Sequence, residues 1–230
     1  MRYDIDENSA RAYSVYDART HQPNSVTRRG LLHHEQVQLK KRALNVIRIS
    51  QLSIGSMTGR ERDLAKLMRI KRVDVLWVQE TRWKGNKAKE LRGGGGAVSY
   101  KVICSGANEQ GRNGVGVVLS GEMKNAVIEV RRKNDRVKRV KICYGGETMN
   151  IISAYAPQEA CTEEEKSCVW NEMNEVTQEL EEQEMIVVGA DFNGHVGNEN
   201  YVIELVREGH GIEERNPEGE GIVHFAMFLI

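Results

Sequence analysis

The sequence predicts a mixed α/β (α+β) domain in which two packed sheets carry helices on their outer faces. Three observations lead there. Two Thr-x-x-Glu signatures, Thr58–Glu61 and Thr162–Glu165, each open a segment with helical spacing. Between them the chain shows a succession of short β-like runs separated by glycine turns. Two further runs, Val73–Val78 and Met185–Ala190, are apolar almost throughout and read as strands buried on both sides. Strand, helix, strand, many adjacent strands, helix, strand is an order that buries its apolar faces when two sheets pack with helices outside.

Element by element, residues 1–43 are polar, lack a sustained period and contain Gln22-Pro23-Asn24-Ser25, and so read as a flexible polar tail ahead of a domain at 44–230. Lys40-Lys41-Arg42 is a nuclear address, a phosphate contact or a solvated basic run. Leu44–Ile49 is β-rich and is the expected first strand. A helix is expected from Thr58 to about Lys71, with Leu64, Leu67, Met68 and Lys71 at 3–4 spacing. Val73–Val78 follows as a strand and Gly93–Gly96 as a loop. Expected strands then run Ala97–Cys104, Gly114–Leu119, Ala126–Val130, Val137–Cys143 and Met149–Ala156. The second helix carries one apolar stripe, Val169, Met173, Val176 and Leu180, and its glutamates read as a solvated face. Met185–Ala190 runs into Asp191, and Ile222–Ile230 is an apolar closing stretch.

At 40% apolar and 29% charged residues, wholesale disorder is excluded. No run approaches the ~20 apolar residues of a membrane span. The acidic start Met1-Arg2-Tyr3-Asp4-Ile5-Asp6-Glu7 does not resemble a secretory signal. Cys104, Cys143, Cys161 and Cys168 form no CxxC pair. The expected location is intracellular, nuclear or cytoplasmic, with no membrane partner. Zero net charge conceals a strong segregation: residues 1–59 carry +4, residues 60–141 carry +12 and residues 142–230 carry −16. The basic stretch suggests a polyanion such as DNA, unless the two halves neutralise each other in space.

Three motifs stand at strand ends. In Val78-Gln79-Glu80-Thr81-Arg82-Trp83 a carboxylate follows a buried strand, a fit for a hard cation such as Mg²⁺. In Ser153-Ala154-Tyr155-Ala156-Pro157-Gln158 a phenol that could donate to a phosphate oxygen precedes a proline. In Gly189-Ala190-Asp191-Phe192-Asn193-Gly194, strand alternation would put Asp191 and Asn193 on one side, as proton acceptor and amide donor. The same Asp-x-Asn-Gly is also a good turn.

Together with Arg112–Leu119, which looks like a central strand, these motifs resemble the endonuclease/exonuclease/phosphatase superfamily. The likeness extends to the endonuclease domains of non-LTR retrotransposons through Gly55-Ser56-Met57-Thr58-Gly59-Arg60 and Trp83-Lys84-Gly85. It covers roughly residues 44–230. The resemblance implies a four-layer αββα sandwich with its site at the sheet edges, and phosphodiester hydrolysis dependent on Mg²⁺ or Mn²⁺. It implies Glu80 as metal ligand, Tyr155 as phosphate contact, and Asp191 with Asn193 as the pair that positions or activates water.

Two departures accompany the likeness. Ser53 stands where the family has an asparagine supporting the metal, and the sequence stops at Ile230 before the late aspartate and histidine of the family's closing segment. His195, His210 and His224, and the tail's His21, His33 and His34, read as loop or surface histidines. The sandwich is therefore expected to be incomplete at the C-terminus, with Ile222–Ile230 lacking packing partners. The expected function is a Mg²⁺-dependent DNA endonuclease-type hydrolase, impaired or inactive as written. The alternatives are a non-catalytic, retrotransposon-derived remnant that binds nucleic acid or protein, and a phosphatase of the same fold.

Overall fold

The computed structural model describes residues 46–92, 99–197 and 214–229. The expected tail at 1–43 and the expected loop at Gly93–Gly96 lie outside the described residues. In chain order the elements are β1 (Ile49–Ser53), α1 (Glu61–Lys71), β2 (Val75–Gln79), β3 (Lys87–Arg92), β4 (Ser99–Cys104) and β5 (Gly116–Ser120). A short 3₁₀ turn at Met123–Asn125 leads to β6 (Val127–Arg132), β7 (Val137–Tyr144), β8 (Glu147–Tyr155), α2 (Glu163–Gln178), β9 (Met185–Asp191) and α3 (Pro217–Phe228).

These strands form two sheets, ordered β1-β2-β5-β4-β3 and β6-β7-β8-β9. Only β1/β2 and β8/β9 pair in parallel, and each of those pairs is bridged by a helix, α1 and α2 respectively. Parallel neighbours need such a crossover, so the two βαβ units place one helix on the outside of each sheet.

Three apolar layers hold the sandwich together. Leu64, Ala65 and Met68 of α1 pack on Leu76, Val78, Val102 and Val118. Between the sheets lie Val75, Trp77, Ile103, Val117, Leu119, Val140, Ile142 and Ile151. On the far side Val169, Met173 and Val176 of α2, with Phe225 of α3, cover Val137, Ile152 and Ala154. Each fully buried Val, Leu or Ile contributes roughly 1.5–3 kcal/mol, so these layers outweigh any surface pairing. The expected αββα order is the order observed, and β5 is indeed central in its sheet.

Several elements depart from the sequence expectation. The first strand runs Ile49–Ser53, later than the expected Leu44–Ile49: Gln51 finds a partner across the sandwich at the Ala190 carbonyl, and Ser53 one beside it in the same sheet at Glu80. The expected cap at Thr58 does not form. The chain enters α1 two residues later through Arg60, which makes no side-chain cap bond. At Thr162 both halves of the capping box are present. Strand β3 was not expected at all: five of its six residues are exposed and only Leu91 is buried, as suits an edge strand. The closing stretch is a helix with partners. Asn216 caps α3 by accepting from the Gly219 amide at 2.9 Å, and Pro217 opens its first turn. Val223 and Phe225 are buried, and Phe225 and Phe192 both lie on Trp170, with centroids 5.8 and 5.0 Å away. Only Met227 and Phe228 remain exposed large apolar residues there.

The segregated charge meets itself in space. Arg131 pairs with Glu179, Lys133 with Glu175, and Lys141 with Glu184, while Asn134 donates to Glu172 at 2.6 Å. The glutamates of α2 are thus partners of the β6–β7 hairpin as well as a solvated face. No described helix is long and apolar enough to cross a membrane.

Candidate active site

Four strands end on one edge of the sandwich. Ser53 pairs in register with Gln79, the residue before Glu80, and Tyr155 pairs with Asp191. Gln51 holds the two sheets together just beneath, its amide donating to the Ala190 carbonyl at 2.8 Å. Gly189 permits the close approach: a Cβ there would lie 2.0 Å from the Trp77 ring.

At this edge Glu80 is the centre of a small network. Ser53 Oγ donates to its Oε1 at 3.2 Å, Arg82 donates to its Oε2 at 2.7 Å, and its negative charge acts on the Tyr155 phenol. Glu80 and Arg82 both have left-handed backbones, with φ of 55° and 49°. For residues with a Cβ that conformation costs roughly 1 kcal/mol. The buried Thr81 between them holds it in place, donating to the Gly114 carbonyl at 2.9 Å while its own carbonyl accepts from Met57 at 2.8 Å.

Burial, and then the negative charges of Glu80 and Asp191, push the Tyr155 phenol above its ordinary range, against a smaller opposing pull from Arg136. Tyr155 is therefore a protonated donor. Arg136 lies 5.5 Å over its ring and donates to its carbonyl at 3.1 Å.

Asp191 is the last residue of β9, and Asn193 has φ of 49°. The turn reading of Asp-x-Asn-Gly is the one the backbone adopts, so strand alternation does not reach Asn193. Its amide nitrogen donates to Asp191 Oδ1 at 3.2 Å, and its side chain donates to the Ala156 carbonyl at 2.9 Å. Asn193 thus ties the ends of β8 and β9 together and orients the Asp191 carboxylate. His195 and His224 are exposed.

The donors gathered here are oxygen atoms: two carboxylates, a serine hydroxyl and a phenol. That chemistry suits Mg²⁺, which takes one or two carboxylates and leaves its remaining positions to water and phosphate. No group of three or more His, Cys, Asp or Glu among the described residues could hold a metal by itself. Arg82 is the internal competitor, since it already neutralises one Glu80 oxygen. An open cleft of about 400 Å³ is built from the loops after β2 and β4 and the β6–β7 turn, with Asn86, Asn108, Arg132 and Lys133 in its wall.

Sequence reading selected Glu80, Tyr155, Asp191 and Asn193, and the structure gathers all four at this edge. It gave no role to Arg82 and Gln79, which stand inside the first motif, or to Arg136, whose only signal was a position before a strand. It passed over Gln51, a polar residue in the first strand.

No protein-family profile matches the chain. It is similar to craniofacial development protein 2 of Bos taurus, at 24% identity over 179 residues, covering 77% of this chain and 29% of that one. The Tragulus javanicus counterpart matches at 23% over 180 residues, covering 75% and 30%. The chain therefore spans about three tenths of the length of the curated relatives it matches. Among solved structures it is similar to the 3′ phosphatase NExo from Neisseria bound to product DNA hairpin, with TM-score 0.52, 16% identity, and 79% and 70% of the two chains covered. The endonuclease domain of TRAS1, a telomere-specific non-LTR retrotransposon, matches with TM-score 0.50, 10% identity, and 80% and 70% covered. The Xenopus laevis APE2 catalytic domain matches with TM-score 0.51, 13% identity, and 77% and 67% covered. The chain thus shares the fold of these nuclease and phosphatase structures, the fold that its sequence motifs resemble.

Proposed function

We propose that this chain is a Mg²⁺-dependent phosphodiester hydrolase domain of the DNA endonuclease type. The observation that carries the reading is the delivery of Glu80, Tyr155 and Asp191 from two different sheets to one edge. Names of the structural neighbours, a DNA-bound phosphatase and a retrotransposon endonuclease domain, support nucleic acid as the substrate class.

Glu80, supported by Ser53, is the residue to hold Mg²⁺, which when bound neutralises phosphate charge and so favours attack at phosphorus. Tyr155 donates its phenolic proton as a hydrogen bond to a non-bridging phosphate oxygen. Asp191, oriented by the Asn193 amide, accepts the proton of the attacking water. The new bond joins the water oxygen to phosphorus, the ester P–O bond breaks, and the departing oxygen is protonated from solvent. Such chemistry is mostly positioning and charge stabilisation, so a lost polar group commonly costs ~10²–10³-fold in rate.

Arg82 on Glu80 and Ser53 in place of an amide both weaken the metal site, so slow turnover is expected. Mg²⁺ should raise the unfolding midpoint of the parent by mass action and leave Glu80→Gln unmoved. Equal responses would remove Glu80 from the site. In a plasmid-nicking assay with Mg²⁺, residual nicking should vanish in Asp191→Ala, and nicking that survives there would overturn the assignment of Asp191. The Arg82–Glu80 ion pair also supports a second reading, a domain that binds nucleic acid without cutting it. Salt-sensitive DNA binding with no Mg²⁺ response at all would select that reading.

A further inference from the structure

One side-chain layer beneath the edge, the space between the sheets changes character. The register row Arg132–Lys138–Ser153–Gly189 crosses all four strands of the second sheet. From the first sheet Gln79 reaches the Gly189 carbonyl at 3.5 Å, and the Cys104 carbonyl, next to Ser105, accepts from Arg132 at 3.4 Å. Gln79 Oε1, Ser105 Oγ, Lys138 Nζ and Ser153 Oγ are all buried without a hydrogen-bond partner. Lys138 is fully buried.

The charged and titratable groups that act on Lys138 are the Cys104 thiol from β4 and the Arg132 guanidinium from β6. Burial pushes that thiol up to about 11, so it is neutral, and Arg132 repels a second cation. β2, β8 and β9 contribute Gln79, Ser153 and Gly189, none of them titratable. Among the described residues no carboxylate compensates this lysine, and desolvation lowers its pKa to about 7. Ser153, its register partner, lies on the same face of β8 as Tyr155, two residues or roughly 7 Å below.

We propose that Lys138 is an electrostatic positioning residue for the edge: occupation of the edge by a phosphodiester drives uptake of a proton onto Lys138 Nζ. The anion supplies, from one layer above and through a low-dielectric interior, the negative charge that the buried amine lacks. Lys138 touches no reacting atom. It tunes the potential at the floor of the site and, through Gln79 and Ser153, adjoins the strands that present Glu80 and Tyr155. This inference rests on the hydrolase reading for what fills the edge.

The test is an NMR titration of the lysine side-chain methylenes of the full chain, with Lys138→Met identifying the resonance. The probe is a short phosphorothioate DNA duplex in Mg²⁺. Alone, Lys138 should titrate near neutrality; with the duplex its midpoint should rise by about one pH unit. Parent affinity for the duplex should accordingly weaken as pH rises through that range, while the affinity of Lys138→Met stays flat. A midpoint in the ordinary lysine range, or one that ignores the duplex, would overturn the proposal; should Lys138→Met not fold, Lys138→Arg identifies the same resonance by its loss. If the duplex leaves the resonances of Tyr155 and Asp191 unmoved, the hydrolase reading falls and this inference with it.

Discussion

The space between the two sheets has two halves of opposite character. Its lower half is mainly apolar: Val75, Ile103, Val117, Leu119, Val140, Ile142 and Ile151 fill it, with the Trp77 indole at its border. Its upper half, next to the edge, holds Gln79, Ser105, Lys138 and Ser153, each with a buried polar atom that lacks a partner. The same face of the same strands, two residues further along, switches from apolar to polar side chains. Apolar packing below fixes the spacing of the sheets, and the polar row above is the part of the interior that the proposal makes responsive to charge.

The largest blow to that arrangement should come at its boundary. Gly189 faces Trp77, and an added methyl would meet ring carbons at 2.0 to 2.5 Å. A rigid indole between two sheets cannot move aside, so Gly189→Ala should destabilise the domain by about 3 kcal/mol in urea unfolding. It should also abolish any Mg²⁺ response, because β9 carries Asp191. A loss of the Mg²⁺ response at unchanged stability would show that the edge, rather than the sheet spacing, had been disturbed.

The polar half should yield a gain instead. Lys138→Met replaces an uncompensated buried amine with an apolar chain of similar length, and should raise stability by about 2 kcal/mol at pH 7 or below. The pH dependence follows from the direction of the shift. The folded state releases the lysine proton above about 7, whereas an unfolded lysine keeps it to its ordinary value of 10.5. Between those values the unfolded chain binds more protons, so parent stability rises with pH. The advantage of Lys138→Met is therefore complete below the folded value and disappears as pH climbs toward the unfolded one. Thermal unfolding of both proteins across that window checks it, and a constant difference would mean that Lys138 is charged throughout.

This division also marks what the sequence could disclose. Val75–Val78 and the stripe Val169, Met173, Val176 were legible because burial on both faces, or on one helical face, leaves an apolar pattern. Glu80, Tyr155 and Asp191 were legible because strand-end motifs are local. Lys138 was not. In Val137-Lys138-Arg139-Val140 a basic residue ordinarily points to water, but both faces of β7 are covered and neither face offers solvent. Strand β3 was hidden for the opposite reason, since Lys87, Lys89, Glu90 and Arg92 are exposed at an edge and show no apolar alternation. Thr58 carried a cap signature that the chain does not use, because α1 begins only at Glu61, the far end of that signature.

The smallest stability effect belongs to the surface, where the polar groups have partners. Glu175 of α2 and Glu179 just past its end engage Lys133 and Arg131, and Glu175 holds the Lys133 ammonium above its ordinary range. Exposed pairs of this kind are screened by water and salt. Converting both glutamates to glutamine should leave the unfolding midpoint unchanged. Its effect should appear in nucleic-acid binding, because Arg131 and Lys133 are then free to meet phosphates, and Lys133 lines the cleft beside the edge. Each additional phosphate contact steepens the salt dependence of DNA affinity by about 0.9 in the log–log slope. The double variant should thus bind a DNA duplex more tightly at low salt, with a slope steeper by about one to two. An unchanged slope would place the DNA-facing surface away from this hairpin, and a lowered midpoint would show that α2 is held on the sheet by charge as well as by Val169, Met173 and Val176.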